Sequence, residues 1–282
     1  MEKKLAESEK IKIAVRERYG KIAELAEPTS CCGMEETKTA SSCCAGGEDK
    51  GGFSYSFIGE DYQKLPGYQP EADLGLGCGL PTELAGIKEG DHVLDLGSGA
   101  GNDAFVARRI VGDKGRVTGV DMTPQMIEKA RANNRKLGYA NVEFLPGEIE
   151  SLPVAANTID VVISNCVLNL VPDKAKAFEE IFRVLKPGGH FNVSDIVLGA
   201  ELPSKLREQA ELYVGCVSGA VLRNEYLAFI QQAGFKDVKI QKERGVDVPR
   251  DILLKFISEK ELRDLAAKGA GIFSVTVWGA KP

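Results

Sequence analysis

The chain has 282 residues, and 36 Lys and Arg against 41 Asp and Glu give a net charge of -5. This length allows one large core with additions, and the acidic balance gives little general attraction for nucleic-acid phosphates. The charged start of the chain differs from a secretory signal, and no later segment approaches the roughly 20 apolar residues that span a bilayer. We therefore expect a cytoplasmic protein that binds neither nucleic acid nor membranes.

The N-terminal region, residues 1–78, is predicted to form an extension to the core. Residues 6–25 carry apolar side chains at helical spacing, which predicts an amphipathic helix interrupted near Gly20. Residues 28–52 are rich in Ser, Thr, Gly and charged residues around two cysteine doublets, which is typical of a mobile surface loop. Seven cysteines without an export signal favour thiols kept for metal binding or redox chemistry over structural disulfides.

From residue 92 onward, short β-branched runs alternate with helical patterns, which predicts parallel βαβ units. Strands are expected at residues 92–96, 116–120, 142–145, 160–164 and 189–195, and helices at 102–110, 123–137 and 173–185. A helical insertion through residue 216, a helix at 224–233 and two runs at 238–242 and 272–278 follow, the last two suited to an antiparallel edge. The predicted fold is α/β, a doubly wound Rossmann-like sheet, with its core at 79–198 and a C-terminal addition at 199–282.

The loop after the first predicted strand carries Gly97, Gly99 and Gly101 at alternate positions, directly before a helix. Glycines there permit a tight turn and a close approach of a bound nucleoside to the backbone. In a dinucleotide-binding fold the third glycine would fall three residues after the second, so this spacing favours S-adenosylmethionine over NAD.

Acidic and apolar residues follow the next two strands. Asp121 ends the second strand, where a carboxylate can accept both hydroxyls of a ribose, and Glu148 with Ile149 could hold the edge and face of an adenine. These features resemble the class I methyltransferase family. The resemblance implies a seven-stranded sheet whose last strand is antiparallel.

Three cysteines lie in settings unlike ordinary core positions. Cys166 follows the fourth strand, at the crevice where open α/β sheets bind ligands, while Cys78 and Cys216 are flanked by glycines and other small residues. A buried cysteine often acts only as a small hydrophobe, so each one taken singly could be core filler. Together, three soft thiolates without supporting histidines suit a thiophilic centre better than catalytic zinc.

The sequence is similar to one family in particular, the arsenite S-adenosylmethionine methyltransferases. The matching segments are 19–20, 74–79, 94–101, 121–124, 147–149, 164–170 and 215–219. The resemblance implies that Cys78, Cys166 and Cys216 bind trivalent arsenic, supplied as a thiol conjugate, whose lone pair attacks the sulfonium methyl without a general base. It further implies that Cys31 or Cys32 forms a disulfide with Cys78 and that thioredoxin or glutathione reduces it.

The same resemblance makes Tyr68 a candidate contact in a segment that covers the cofactor. The full set of predicted cofactor-binding residues is Tyr68, Asp95, Gly97, Ser98, Gly99, Gly101, Asp121, Met122, Glu148, Ile149 and Asn165. A second doublet, Cys43-Cys44, departs from the family pattern and could relay oxidising equivalents, hold a second arsenic or be inert. The four loop cysteines could instead form a zinc site.

Two other functions remain open at this stage. The chain could methylate a small organic molecule, with its cysteines incidental, or it could be a non-catalytic thiol protein that sequesters arsenic or another soft metal.

Overall fold

The computed structural model describes residues 2–25, 62–203, 206, 217, 219–246, 250–255 and 257–282. The predicted loop at 28–52, with Cys31, Cys32, Cys43 and Cys44, lies outside these residues, as do Cys216 and most of the predicted insertion before it. None of the described helices combines the length and apolar character that a membrane crossing requires.

Within the described ranges, seven strands form one sheet in the order β3-β2-β1-β4-β5-β7-β6. The strands are β1 (His92–Leu96), β2 (Arg116–Asp121), β3 (Val142–Pro146), β4 (Ile159–Asn165), β5 (Leu185–Leu198), β6 (Lys236–Val246) and β7 (Ile272–Ala280). The first five pair in parallel, and β7 runs antiparallel to both β5 and β6. The expected seven-stranded class I methyltransferase sheet is confirmed, with β6 rather than β7 at its edge.

Helices cover both faces of this sheet, and the predicted helices at 102–110, 123–137, 173–185 and 224–233 are all present. The described helices are α1 (Glu2–Leu25), α2 (Pro81–Leu84), α3 (Asn102–Val111), α4 (Pro124–Leu137), α5 (Lys174–Val184), α6 (Arg223–Gln232), α7 (Arg250–Leu253) and α8 (Glu259–Ala267). Local sequence signals set the ends of these helices. The Asp173 side chain caps the start of α5 by accepting a hydrogen bond from the Lys176 N–H at 3.0 Å. Gly138 ends α4 in the left-handed conformation.

Two apolar clusters hold the layers together, one on each face of the sheet. On one face, Phe178 of α5 and Tyr226 of α6 pack edge to face over the strands, with ring centroids 5.5 Å apart. On the other face, Phe105 of α3 packs against Phe144 of β3. Because both faces are covered, the central strands are buried almost throughout, which explains why most of their residues are apolar.

Two local expectations were wrong. The helix at 6–25 is not interrupted near Gly20, because α1 runs continuously from Glu2 to Leu25. Gly20 instead allows a close approach to α4, since a Cβ there would lie 3.2 Å from the Gln125 side chain. Strand β5 also begins earlier than predicted, at Leu185, which pairs with Ile159 before the register shifts.

Candidate active site

A cleft opens at the carboxyl ends of β1, β2 and β4, where the strand order reverses. Ligands of open α/β sheets bind at such a reversal because the connecting loops diverge on either side of it. The predicted site residues that line this cleft are Asp95, Gly97, Ser98, Gly99, Asp121, Met122, Glu148, Ile149, Asn165 and Cys166. The structure therefore brings together most of the predicted cofactor residues and one of the predicted thiols.

The glycine loop has the backbone conformation that the sequence required. Gly97, Gly99 and Gly101 all have positive φ, at +63°, +51° and +101°. A Cβ on Gly99 would meet nothing within 4 Å, so its backbone is open to a ligand. A Cβ on Gly101 would lie 2.8 Å from the Phe105 ring, so this glycine, which is not part of the cleft lining, serves the packing of α3.

Three carboxylates, one buried and two partly buried, give the cleft its electrostatic character. Burial, with the charges of Asp103 and Asp121, raises the pKa of Asp95 well above its ordinary value. Burial also raises the pKa of Asp103 to about 6, although hydrogen bonds from Asn165 and Tyr62 favour its charged form. The pKa of Asp121 is raised by burial against the opposing hydrogen bonds of Thr123 and Gly99. A bound cation would relieve this cost, so the cleft is suited to a positively charged ligand.

Several buried polar atoms of the cleft have no hydrogen-bond partner within the described part of the chain. They are Asp95 Oδ2, Ser98 Oγ and Asn102 Oδ1. A buried polar atom without a partner costs about 1–3 kcal/mol. Their convergence on one cleft therefore indicates a ligand that carries hydrogen-bonding groups.

Asp121, the predicted ribose ligand, lines the cleft and accepts two backbone hydrogen bonds. Its Oδ2 accepts the Gly99 N–H at 3.0 Å, and its Oδ1 accepts the Thr123 N–H at 2.8 Å. These bonds orient the carboxylate within the cleft.

Glu148 has partners that the sequence did not predict. Its carboxylate forms ion pairs with Lys12 at 2.8 Å and with Arg16 at 3.4 Å, and Lys12 also pairs with Glu150 at 2.9 Å. Helix α1 is thereby tied across the cleft, and its residues Lys12, Val15 and Tyr19 form part of the cleft wall.

Tyr68 is not in the cleft lining. Its hydroxyl donates to Asp73 Oδ2 at 3.1 Å, and Asp73 itself lines the cleft. Tyr68 is therefore placed to orient a cleft residue in the segment that the sequence predicted as a cover.

Cys166 is held in an uncommon conformation at the end of β4. It is buried, 4% exposed, and has a left-handed φ of +61°. Its N–H donates to the Ser194 carbonyl at 2.7 Å, so β5 fixes its backbone. A residue with a Cβ adopts this conformation only where its surroundings impose it, and such residues concentrate at functional sites.

Cys78 and Cys166 meet at one apolar cluster formed by Ile196, Leu198, Val217, Ala220 and Ile272. The pKa of Tyr226 is raised far above its ordinary value by burial and by Asp195, with smaller contributions from Cys78 and Cys166. Both cysteines therefore lie within electrostatic reach of the same phenol. Cys216 is outside the described residues, but Val217, which follows it in sequence, is buried in the same cluster.

Sequence reasoning missed many residues of the cleft, among them Lys12, Tyr19, Tyr62, Asp73 and Asp103. Asp103 carried a usable signal, because it is an acidic residue in the first turn of the helix that follows the glycine loop. The other four lie before the first strand, and only the folded structure brings them to the cleft.

A family model described as a methyltransferase domain matches residues 87–234. The chain is 42% identical over 271 residues to the arsenite methyltransferase of Halobacterium salinarum, covering 95% of this chain and 66% of that protein. It is 37% identical to the arsenite methyltransferase of Aquipseudomonas alcaligenes, covering 65% of this chain and 54% of that protein. The chain thus spans between about half and two thirds of these curated relatives.

A solved structure of an arsenic methyltransferase is also similar to this chain. The chain resembles the arsenic(III) S-adenosylmethionine methyltransferase of Chlamydomonas reinhardtii with a TM-score of 0.59 and 36% sequence identity. The match covers 80% of this chain and 71% of that one.

Proposed function

Because the chain belongs to the family of arsenite S-adenosylmethionine methyltransferases, we propose that it transfers methyl groups from S-adenosylmethionine to thiol-bound trivalent arsenic. The observation that carries this proposal is the meeting of Cys78 and Cys166 at one cluster beside a cleft suited to a cationic nucleoside. A soft metalloid prefers such thiolates over oxygen ligands.

The residues of the cleft fit this cofactor. Asp121 would accept the ribose hydroxyls, Ile149 and Glu148 would contact the adenine, and Asp95 with Asp103 would face the positive charges. The partnerless atoms of Asp95, Ser98 and Asn102 support a ligand with several donors. When bound, S-adenosylmethionine supplies an electrophilic methyl group on a positively charged sulfur, whose bond to carbon breaks as the acceptor's lone pair bonds to that carbon.

On the acceptor side, Cys78, Cys166 and Cys216 would hold arsenic as three thiolates, exchanging with the thiols that deliver it. The arsenic lone pair requires no deprotonation, so catalysis depends on holding donor and acceptor in line within a site that excludes water. The buried setting of Cys166 and the apolar cluster around it supply that exclusion.

Each methyl transfer removes two electrons from arsenic by formal count. We propose that Cys78 and either Cys31 or Cys32 return them by joining in a disulfide, which restores trivalent arsenic. Thioredoxin or glutathione would then reduce the disulfide by thiol exchange.

The test is an incubation of the purified chain with labelled S-adenosylmethionine, arsenite and glutathione, with arsenic species separated by chromatography. Methylated arsenic is expected, and Cys166→Ser should abolish it while cofactor affinity is retained. Transfer only to organic acceptors, or arsenite binding without transfer, would refute the proposal. Ser164→Ala is the matched control, since it removes a buried hydroxyl from the same strand without touching a thiol.

The resolving thiol is tested separately with Cys31→Ser and Cys32→Ser. The variant that lacks it should complete one transfer per chain and then stop, whereas the other should continue. In the variant that continues, peptide mapping of the oxidised protein by mass spectrometry should find Cys78 in a disulfide with whichever of Cys31 and Cys32 was kept. A Cys78 that is never found in a disulfide would exclude this redox step.

A further inference from the structure

The side chain of Asn165 joins the two segments that carry the described thiols. Asn165 directly precedes Cys166 at the end of β4, and its Oδ1 accepts the backbone N–H groups of Cys78 at 3.0 Å and Gly79 at 3.1 Å. The Asn165 amide therefore connects the backbone next to Cys166 to the backbone of Cys78.

The amide nitrogen of Asn165 is equally engaged. Its Nδ2 donates to the Gly79 carbonyl at 2.9 Å, to Asp103 Oδ2 at 3.1 Å and to the Tyr62 hydroxyl. Asp103 and Tyr62 both line the cofactor cleft. The hydrogen-bonding capacity of the amide is thus used on the Cys78 loop on one side and on the cleft on the other.

The Cys78 loop lies directly against the sheet because it carries no side chains at the points of contact. A Cβ on Gly77 would lie 2.7 Å from Asn165 Nδ2, and one on Gly79 would collide with Ser194 of β5. On the far side, the Ser274 hydroxyl of β7 donates to the Cys78 carbonyl at 2.6 Å. The Cys78 backbone is therefore fixed at its N–H by β4 and at its carbonyl by β7.

We propose that Asn165 is a positioning residue that sets the separation of the Cys78 and Cys166 thiols and holds this pair in register with the cofactor cleft. The sequence predicted Asn165 as a cofactor contact, but its three hydrogen bonds to the Cys78 loop support a role on the acceptor side. Only the identity of the acceptor rests on the proposed function, because the spacing of the thiols is a property of the protein alone.

The spacing can be measured without arsenic by using dibromobimane, which becomes strongly fluorescent when both of its bromines are displaced by thiols. The reduced full chain is used with its other cysteines replaced, namely Cys31→Ser, Cys32→Ser, Cys43→Ser, Cys44→Ser and Cys216→Ser. Monobromobimane, which needs one thiol, corrects for any change in thiol reactivity. Mass spectrometry verifies that Cys78 and Cys166 are the residues linked.

Asn165→Ala should lower the corrected cross-linking rate about tenfold, because it removes three hydrogen bonds that fix the backbone of Cys78 and Gly79. Asn165→Asp should restore part of the rate, since a carboxylate oxygen can still accept from Cys78 and Gly79. The matched control is Asn141→Ala, because the Asn141 amide likewise holds backbone by hydrogen bonds, which it donates to the carbonyls of Gly112 and Gly115 away from the cleft. This control should cross-link at the parent rate.

Three results would overturn the inference: a parent protein that does not cross-link, an Asn165→Ala variant at the parent rate, or an equal loss in the Asn141→Ala control. Arsenite methylation by the unmodified chain is measured in parallel. If that activity is absent while cross-linking depends on Asn165, the proposed function fails and the positioning role stands.

Discussion

The Tyr62 hydroxyl donates a hydrogen bond to Asp103 within the cleft, lying 2.8 and 2.9 Å from its two carboxylate oxygens. Burial raises the pKa of the Asp103 carboxyl, and this hydrogen bond opposes that shift. The tyrosine therefore helps to hold a negative charge at a place where a cationic cofactor is expected to bind.

Tyr62→Phe should make cofactor binding more sensitive to acid. The Asp103 carboxyl, with a pKa of about 6, is charged above that pH, so affinity for S-adenosylmethionine should fall as pH drops through 6. Without the hydroxyl the pKa rises further, and the fall in affinity should begin at higher pH. Calorimetric titration with S-adenosylmethionine at pH values from 5 to 8 measures the midpoint of this fall in affinity. Tyr68→Phe, which removes a hydrogen bond to Asp73 instead, should leave the midpoint unchanged.

Lys12→Met should weaken cofactor binding by about tenfold, because it leaves Glu148 and Glu150 close together without their shared cation. Helix α1 would then be less firmly held over the cleft. Equilibrium binding reports the affinity, and the rate of proteolytic removal of α1 reports its attachment. Lys176→Met breaks an exposed pair with Glu179 and should change neither measurement.

Gly79→Ala should destabilise the protein by about 2 kcal/mol and impair the acceptor site, because the new methyl group would collide with Ser194. Chemical denaturation measures the free energy of unfolding, and the dibromobimane cross-linking rate measures the effect on the acceptor site. The matched control is Gly245→Ala in β6, where a Cβ meets nothing within 4 Å and stability should be unchanged or slightly higher. Equal losses in both variants would contradict the steric explanation.

Asp195→Asn should flatten the dependence of stability on pH between about 4 and 7. Burial raises the pKa of Asp195 from 3.8 to about 7, so the folded state keeps a proton that the unfolded state releases in this window. The free energy of unfolding therefore falls as pH rises through the window, and the amide removes that loss. Thermal unfolding at several pH values measures the slope.

Asp160→Asn provides a control of opposite sign. The pKa of Asp160 is lowered because hydrogen bonds from Lys186 and the His92 N–H outweigh its burial. Its contribution is present at neutral pH and is lost on acidification, so its removal should cost stability at pH 7. If Asp160→Asn flattened the dependence of stability on pH as much as Asp195→Asn, Asp195 would not be the group responsible.

The sheet could be predicted from the sequence because its signals are local. Short runs rich in β-branched and apolar residues, such as residues 92–96, alternate with helical patterns and so predict buried strands, and the glycines that follow favour a tight turn. Gly20 shows the limit of that reasoning. A glycine at a helix contact and a glycine that ends a helix are the same in sequence, and only the packing of Gln125 against it distinguishes them.

The cleft was only partly predictable for a related reason. Asp121 ends one strand and Cys166 directly follows another, so the position of each strand also gave the position of the residue. Tyr62 and Lys12 reach the same cleft from segments before the first strand, with partners 41 and 136 residues away. Contacts of that separation depend on the tertiary fold, and no local pattern encodes them.

The bond between Ser274 and Cys78 spans 196 residues of sequence. Strand β7 leaves the ribosome after the six other described strands, yet it must insert between β5 and β6, which precede it. The cofactor half of the sheet, β1 to β4, can therefore assemble during translation, whereas the Cys78 loop gains its last anchor only when β7 arrives. A nascent chain would bind its methyl donor before it could hold its acceptor in place.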